Sequence, residues 1–211
     1  MSIRLLIGDD HAIVREGLKQ IIEDTVDLEV VAEAASGGAV LDAVRKNSYD
    51  VIVLDISLPD QSGLDILKQI KHIKPDLPVL MLSIHPEELY AVRVLRAGAA
   101  GYITKRSAPG ELVTAIRTVA QGRKYITSSL AEHLAQQFDD ITQPPHELLS
   151  DREYQVMIGI ANGKSVSEIA NDLSLSVNTI STYRSRILEK MRLKNNADII
   201  HYAIQYGLVE A

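Results

Sequence analysis

Short apolar runs alternate with amphipathic segments over roughly the first 120 residues of the chain. The runs occupy residues 3–7, 29–32, 51–54, 79–82 and 101–103. The segments between them carry apolar side chains at the spacing of one helix face, most clearly Ile13, Val14, Leu18, Ile21 and Ile22. Alternating strands and helices pack as a parallel sheet with helices on both faces. The pattern therefore predicts a doubly wound α/β domain with five strands and five helices.

The alternation stops after Gly122. Residues 129–138 have the pattern of a short helix, and the polar stretch 139–146 is typical of a linker, because the Pro144-Pro145 pair ends any helix. At 211 residues the chain also exceeds the usual size of one domain, about 100 to 150 residues. We therefore predict a first domain over residues 1–121, a linker over 122–147 and a second domain over 148–211.

The predicted second domain contains clear helix start signals. Ser150 with Glu153, and Ser165 with Glu168, fit the capping box, in which each side chain satisfies an otherwise unpaired backbone N–H group. Gly163 stands where a helix ends in a left-handed residue. These signals predict an all-α domain of four helices, near residues 151–162, 166–173, 177–191 and 196–206.

Charge and composition exclude some kinds of binding site and indicate which domain can bind a polyanion. The net charge is −6, and all of this excess lies in residues 1–147, since residues 148–211 hold 7 basic and 7 acidic residues. The second domain is therefore the better polyanion binder, although nucleic-acid binders usually show a marked basic excess. The absence of Cys excludes disulfides and thiolate metal sites. Because acidic residues follow the first short apolar run, we expect a cytoplasmic protein that does not enter a membrane.

Polar side chains follow the ends of the predicted strands. Asp9 and Asp10 follow the first strand, Asp55 the third, Ser83 the fourth and Lys105 the fifth. The carboxyl ends of parallel strands meet at one edge of the sheet, where ligands bind. Clustered carboxylates repel one another, and Mg²⁺ is the hard cation that relieves this repulsion. With Lys105 nearby, such a site suits phosphoryl transfer, and we predict that Asp55 is the nucleophile.

Five motifs in this order resemble the receiver domain of two-component response regulators. They are Gly8-Asp-Asp-His11, Val53-Leu-Asp-Ile-Ser-Leu-Pro59, Ser62-Gly-Leu64, Leu82-Ser83 and Ala97-Gly-Ala-Ala-Gly-Tyr-Ile-Thr-Lys105. The resemblance covers about residues 1–120 and implies a flavodoxin-like sheet. In one departure, Arg106 stands where many receivers have Pro, which leaves the geometry of that loop open.

The resemblance implies a role for each polar residue at this edge. Asp55 is the expected phospho-acceptor. Asp10, Asp9 partly through water, and the backbone carbonyl of Ser57 are expected to hold Mg²⁺ together with Asp55. The residues expected to contact the phosphoryl group or to respond to it are Ser83, Lys105 and, at the position of the aromatic switch, Tyr102. None of the six His residues has the spacing of a metal ligand.

A second resemblance covers about residues 148–211. The segments Leu149-Ser-Asp-Arg-Glu153, Ile160-Ala-Asn-Gly-Lys-Ser-Val-Ser-Glu-Ile-Ala170 and Leu175-Ser-Val-Asn-Thr-Ile-Ser-Thr-Tyr-Arg184 resemble the LuxR-type helix-turn-helix. Together the two resemblances imply the NarL/FixJ class, in which a receiver is joined to a DNA-binding domain.

The helix predicted near residues 177–191 has the two faces that a recognition helix needs. On a helical wheel, one side carries Val177, Ile180, Ile187, Leu188 and Met191 and is predicted to pack in the core. The other side is small and polar and is expected to enter the major groove. The expected DNA contacts are Asn178, Thr179, Ser181, Thr182, Arg184, Ser185, Arg186 and Lys190. Ser181 and Ser185 stand where relatives often carry Lys, and Arg184 falls toward the core side.

The combined expectation is a transcription regulator that is switched by phosphorylation. A partner histidine kinase is expected to phosphorylate Asp55, and the phosphorylated chain to bind double-stranded promoter half-sites as a homodimer. The predicted dimer face is on the last helix, with Ile200, Ala203 and Ile204. The receiver is expected to assist its own phosphorylation and dephosphorylation, and otherwise not to be an enzyme.

Two other functions compete with this one. A Mg²⁺-dependent phosphohydrolase of the haloacid-dehalogenase type needs a second Asp two residues after the nucleophile, and here Ser57 stands there. A DNA-binding or protein-docking module that works without phosphorylation requires a vestigial pocket. The intact set of Asp9, Asp10, Asp55 and Lys105 argues against that alternative.

Overall fold

The computed structural model describes residues 2–107, 109–137 and 144–209. The chain divides into two compact units, Met1–Gln136 and Gln137–Ala211. The short helix predicted near residues 129–138 therefore groups with the first unit, beyond the predicted domain end at residue 121. The predicted linker residues 139–143 lie outside the described residues.

The first unit is a five-stranded parallel sheet in the order β2-β1-β3-β4-β5. Its strands are β1 (Ile3–Gly8), β2 (Leu28–Ala34), β3 (Val51–Asp55), β4 (Val79–Ser83) and β5 (Gly101–Thr104). Its helices are α1 (Ala12–Glu23), α2 (Gly37–Lys46), α3 (Gly63–Ile73), α4 (Glu87–Arg96), α5 (Pro109–Ala120) and α6 (Ser128–Gln137). The predicted doubly wound α/β fold is confirmed, with every apolar run of the sequence inside a strand.

The strands in the middle of the sheet are buried. Leu5 and Ile7 of β1 pack in one cluster with Leu18 of α1 and Ile116 of α5. All five residues of β3 are buried, and burial is expected for its four apolar residues, Val51 to Leu54, in the middle of a parallel sheet. The rigid setting of β3 holds the side chain at its carboxyl end, Asp55, in one place.

The first residue of α3 lies directly against the end of β3. The Gly63 N–H donates to the carbonyl oxygen of Ile56 at 2.8 Å. A Cβ atom added to Gly63 would lie 2.1 Å from the carbonyl oxygen of Asp55, far inside van der Waals contact. Only glycine permits this approach. Gly63 therefore determines the path of the loop that begins at Asp55.

Within residues 144–209 the structure is helical. A short 3₁₀ helix, Pro145–Leu148, precedes α7 (Asp151–Ala161), α8 (Val166–Asp172), α9 (Val177–Met191) and α10 (Asn196–Gln205). Both predicted capping boxes are present, at the starts of α7 and α8. Gly163 has a φ of 77°, the left-handed value expected after α7. The four predicted helices are thus confirmed. Across the residues that the structure describes, no helix has the length and apolar character needed to cross a membrane.

Glu153 joins the start of α7 to α9. Its carboxylate oxygen Oε2 accepts the backbone N–H of Ser150 at 2.7 Å and lies 2.6 Å from Nζ of Lys190. The Glu153 side chain is 3% exposed. Burial acts to raise the pKa of Glu153, but the hydrogen bonds from Lys190 and Ser150 outweigh it and hold the pKa below its usual value. One buried carboxylate therefore serves both as a helix cap and as an ion-pair partner.

Glu153→Ala is expected to lower the free energy of unfolding by about 2 kcal/mol, because a helix cap and a buried acceptor are lost together. Glu153→Gln keeps an acceptor for Ser150 and should cost about 1 kcal/mol. Because the folded pKa is lowered, the contribution of the carboxylate is present above its unfolded pKa and is lost as the pH falls through the folded value. The difference between Glu153 and Gln should therefore shrink in acid, as urea unfolding followed by circular dichroism would measure.

The second capping box provides the matched control. Glu168 makes the same cap with Ser165 at the start of α8, but it is exposed. Glu168→Gln should thus cost less than Glu153→Gln. Equal losses at the two positions would show that the buried link to Lys190 contributes nothing.

Candidate functional site

The carboxyl ends of the strands bring the predicted acidic residues together. Nζ of Lys105 lies 2.7 Å from Oδ2 of Asp55 and 2.7 Å from Oδ2 of Asp9. The side chains of Asp9 and Asp55 are 0% and 2% exposed. One ligand atom each from Asp9, Asp10, His11 and Asp55 lies within 4.8 Å of the others. Side chains that are far apart in sequence therefore form one cluster.

The environment of Asp55 perturbs its ionisation. Burial raises the pKa of Asp55 to about 6, since the pull of Lys105 toward lower values only partly offsets burial and the repulsion from Asp9. Burial acts to lower the pKa of Lys105, but Asp55 and Asp9 raise it above its usual value. Without a metal ion, Lys105 therefore stays protonated between the two carboxyl groups. Asp55 takes up a proton near pH 6.

The donor set fits a hard divalent cation. Three carboxylates against one ammonium leave an excess of negative charge, and oxygen is the donor atom that Mg²⁺ prefers. Ser57, whose carbonyl is the expected fourth ligand, lies in the loop after β3, and its N–H donates to Oδ1 of Asp55 at 3.2 Å. Nδ1 of His11 lies 2.7 Å from Oδ1 of Asp10. The sequence analysis expected no His in this cluster. The position of His11 directly after Asp10 could have indicated it.

Ser83 and Tyr102 both bond to the loop between β4 and α4. The Ser83 hydroxyl oxygen accepts the backbone N–H of His85 at 3.1 Å. The Tyr102 hydroxyl donates to the backbone carbonyl of the same His85 at 2.8 Å. Both side chains are 1% exposed. The two predicted switch residues therefore hold one loop residue from two sides.

The turn after β5 carries Lys105 into the site. The Lys105 N–H donates to the Ser83 carbonyl oxygen at 2.6 Å, and the Ser107 N–H closes the turn on the Thr104 carbonyl oxygen at 3.0 Å. Arg106 is exposed. The loop is thus bonded at both sides of Arg106, the position where many receivers carry Pro.

The long helix α9 has one buried and one polar face. Ile180, Ile187 and Met191 are buried, as predicted. On the opposite side are the exposed residues Asn178, Ser181, Thr182, Ser185 and Arg186, whereas Thr179 is half-buried. The hydroxyl of Thr182 donates to the Asn178 carbonyl oxygen and that of Ser185 to the Ser181 carbonyl oxygen. The hydroxyl hydrogens of Thr182 and Ser185 are therefore already used, and their exposed oxygen atoms can accept hydrogen bonds from a ligand.

Comparison with known proteins decides the family. Residues 5–117 match the response regulator receiver domain, and residues 147–203 match the bacterial regulatory proteins of the luxR family. The chain belongs to the response regulators.

Relatives match this response regulator over its whole length. It is 38% identical to the response regulator UvrY of Escherichia coli (strain K12), over 99% of this chain and 97% of that protein. It is 35% identical to the response regulator GacA of Pseudomonas aeruginosa, over 99% of each chain. Among solved structures, RcsB from Salmonella enterica serovar Typhimurium, bound to promoter rprA in the presence of the phosphomimetic BeF₃⁻, matches with a TM-score of 0.66 and 27% identity, over 96% of this chain and 98% of that one. A further RcsB structure holds two dimers on two parallel DNAs.

The predicted packing of this response regulator was wrong at two positions in its output domain, the helical part over residues 144–209. Val177, expected in the core, is 48% exposed. It is the first residue of α9, so no preceding helical turn covers it. Ala203, expected on a dimer face, is 0% exposed and packs inside the domain, whereas Ile204 is 42% exposed and Ile200 is half-buried. The exposed face of α10 is therefore rotated about the helix axis by one residue relative to the prediction, and it carries His201, Ile204 and Gln205.

Two basic residues that were expected to contact DNA instead bond to side chains of the same domain. Nε of Arg184 donates to Oδ1 of Asn196 at 2.5 Å, which joins α9 to the start of α10. Lys190 pairs with Glu153, as described above. Both residues tie α9 to its neighbours. Arg186 is exposed and is the basic residue predicted on α9 that is not used in these two contacts.

Proposed function

We propose that a partner histidine kinase phosphorylates this response regulator on Asp55 and that the phosphorylated chain binds promoter DNA through α9. The observation that carries the proposal is the contact of Lys105 with both Asp55 and Asp9, at 2.7 Å each, inside a buried acidic cluster. A cation held against a rigid carboxylate is the arrangement that phosphoryl transfer to Asp requires.

The chain's own groups divide the work of the transfer. The Asp55 carboxylate attacks phosphorus, so that a P–O bond forms while the P–N bond to the kinase imidazole breaks. Lys105 offsets negative charge on the phosphoryl oxygens. Asp9, Asp10, Asp55 and the Ser57 carbonyl would hold Mg²⁺, which when bound neutralises further phosphoryl charge. The receiver in this proposal assists its own phosphorylation and hydrolysis and is not an enzyme for a separate substrate.

The phosphoryl group is proposed to act on the loop between β4 and α4. If the Ser83 hydroxyl turns toward the phosphoryl group, it releases the His85 N–H that it now accepts. Support for a path out of the receiver comes from Thr127, which precedes α6. Its hydroxyl donates to Oε1 of Glu87, the first residue of α4, at 2.5 Å and accepts the N–H of Leu130 at 3.2 Å. A shift of α4 would thus pull on the start of α6, the last helix before the output domain in the chain.

The output step is proposed by similarity to RcsB, whose solved structures hold promoter DNA and dimers. We propose that this chain likewise binds paired half-sites as a homodimer, with the polar face of α9 in the major groove. Exposed Asn178, Ser181, Thr182, Ser185 and Arg186 are the proposed contacts on that face. A cytoplasmic location follows from this proposal, because the chain must reach both a kinase and the chromosome.

Phosphorylation with a small donor tests the proposed function. Incubated with acetyl phosphate and Mg²⁺, the full chain is expected to gain one phosphoryl group by mass spectrometry, and to gain none when EDTA removes the metal. Phosphorylation should tighten binding to a DNA duplex selected by the protein by about tenfold or more. Full phosphorylation without any change in DNA affinity would favour a binder that does not need phosphorylation. Repeated hydrolysis of a generic phosphate ester would favour the phosphohydrolase instead.

A further inference from the structure

Val177 is an apolar side chain at the place where a recognition helix meets DNA. It is the first residue of α9, follows the capping residue Ser176, and is 48% exposed. A hydrophobic staple at this helix start would use the residues on either side, Leu175 and Ile180, so helix entry does not require Val177. About half of the Val177 surface is therefore exposed, and the start of the helix does not depend on this side chain.

The neighbours of Val177 leave it accessible. Ser181 and Ser185 follow it at intervals of four residues, so the three side chains form one row along the helix. Both serines are exposed and small. On the other side, the next residue along the chain, Asn178, is exposed as well. A surface lying against this row can therefore approach Val177 without being blocked by a long side chain.

Val177 differs in chemistry from the polar residues around it on α9. Asn178 offers amide donors and an acceptor, and Ser185 and Thr182 offer hydroxyl oxygen atoms, because their hydrogens are bonded to the helix backbone. Val177 offers methyl groups alone. Among the base edges in the major groove, only thymine presents an apolar group, its C5-methyl. The N-terminal residues of a recognition helix are those that contact base edges.

We propose that Val177 contacts a thymine C5-methyl group and thereby specifies thymine at one position of each half-site. This inference rests on the proposed placement of α9 in the major groove. It assigns the first residue of the helix to base recognition, beside the polar residues already expected there.

Replacement of thymine by uracil tests the contact, because uracil lacks only the methyl group. Duplexes are first selected from a random pool by the full-length wild-type chain. Each thymine is then replaced singly by deoxyuridine, and affinities are measured by fluorescence anisotropy at one salt concentration. For the wild type, one position in each half-site should weaken binding by about fourfold, the effect of burying one methyl group. In Val177→Ala, the same replacement should have almost no effect, and affinity for the thymine duplex should fall to a similar extent.

Two further variants complete the design. Val177→Thr keeps the shape and one methyl group, so it should retain part of the preference for thymine and also serves if the Ala variant is unstable. Val26→Ala removes a fully exposed valine from the receiver and should leave the whole thymine profile unchanged.

Each outcome decides the matter. A uracil-sensitive position that disappears in Val177→Ala supports the contact. If the wild type binds DNA but no position responds to uracil, or if every sensitive position persists in the folded variants, the contact with thymine is refuted while the proposed DNA binding stands. If the wild type selects no DNA in either phosphorylation state, both proposals fail.

Discussion

Asp55→Asn is expected to abolish phosphoryl uptake from acetyl phosphate, because an amide of nearly equal volume cannot attack phosphorus. The loss should be complete by mass spectrometry at a Mg²⁺ concentration that saturates the wild type. Asp9 and Asp10 remain in this variant, so the acidic cluster and its contact with Lys105 through Asp9 persist. The matched control is Asp42→Asn, which removes an exposed carboxylate of α2 and should leave uptake unchanged. Mg²⁺-dependent uptake by Asp55→Asn would move the acceptor to another residue.

Asp55→Asn should also be more stable than the wild type when no metal is present. A variant that is stable but takes up no phosphoryl group has lost the nucleophile and not the fold. The folded pKa of Asp55, about 6, lies above its unfolded value near 3.8. Its stabilising contribution is therefore complete below the unfolded pKa and is lost as the pH rises through 6. Asn is neutral at every pH and escapes this loss, so at pH 7.5 in EDTA it should gain up to about 3 kcal/mol. The gain should shrink toward pH 4.5, as urea unfolding at the two pH values would measure.

Gly63→Ala is expected to destabilise the receiver by about 3 kcal/mol or more, because the added Cβ meets a backbone atom instead of a flexible side chain. The overlap is with the carbonyl oxygen of Asp55, at 2.1 Å. Relief requires a shift of the chain at Asp55 itself, so phosphoryl uptake should fall together with stability. Urea unfolding measures the first effect, and the receiver transition is recognised by its response to Mg²⁺.

Gly17→Ala is the control for this substitution. Gly17 is inside α1, and a Cβ added there would meet nothing within 4 Å. Alanine at an open helical position should raise the free energy of unfolding by roughly 0.5 to 1 kcal/mol. If the two alanine variants behaved alike, the close approach of α3 to β3 would have no energetic consequence.

The elements of both units were predictable because their signals are local. The run Val51 to Leu54 is apolar on every residue, which in a parallel sheet marks a strand covered on both faces. The capping box of Ser150 with Glu153 lies within four consecutive residues and marks the start of α7 without knowledge of the rest of the chain. The acidic cluster was predictable for a related reason, since the carboxyl ends of parallel strands must share an edge.

The sequence by itself determined which residues form strands and helices, and which polar side chains gather at the edge of the sheet. Only the tertiary structure decided what each side chain contacts across elements. It engages Lys190 with Glu153, 37 residues away, and Arg184 with Asn196, and it exposes Val177 while burying Ala203. Helical periodicity gives the direction of a side chain about its own axis, but burial depends on which neighbouring helix covers that direction, and where along the helix the cover ends. That information lies in the packing of distant segments, so a single helix does not contain it.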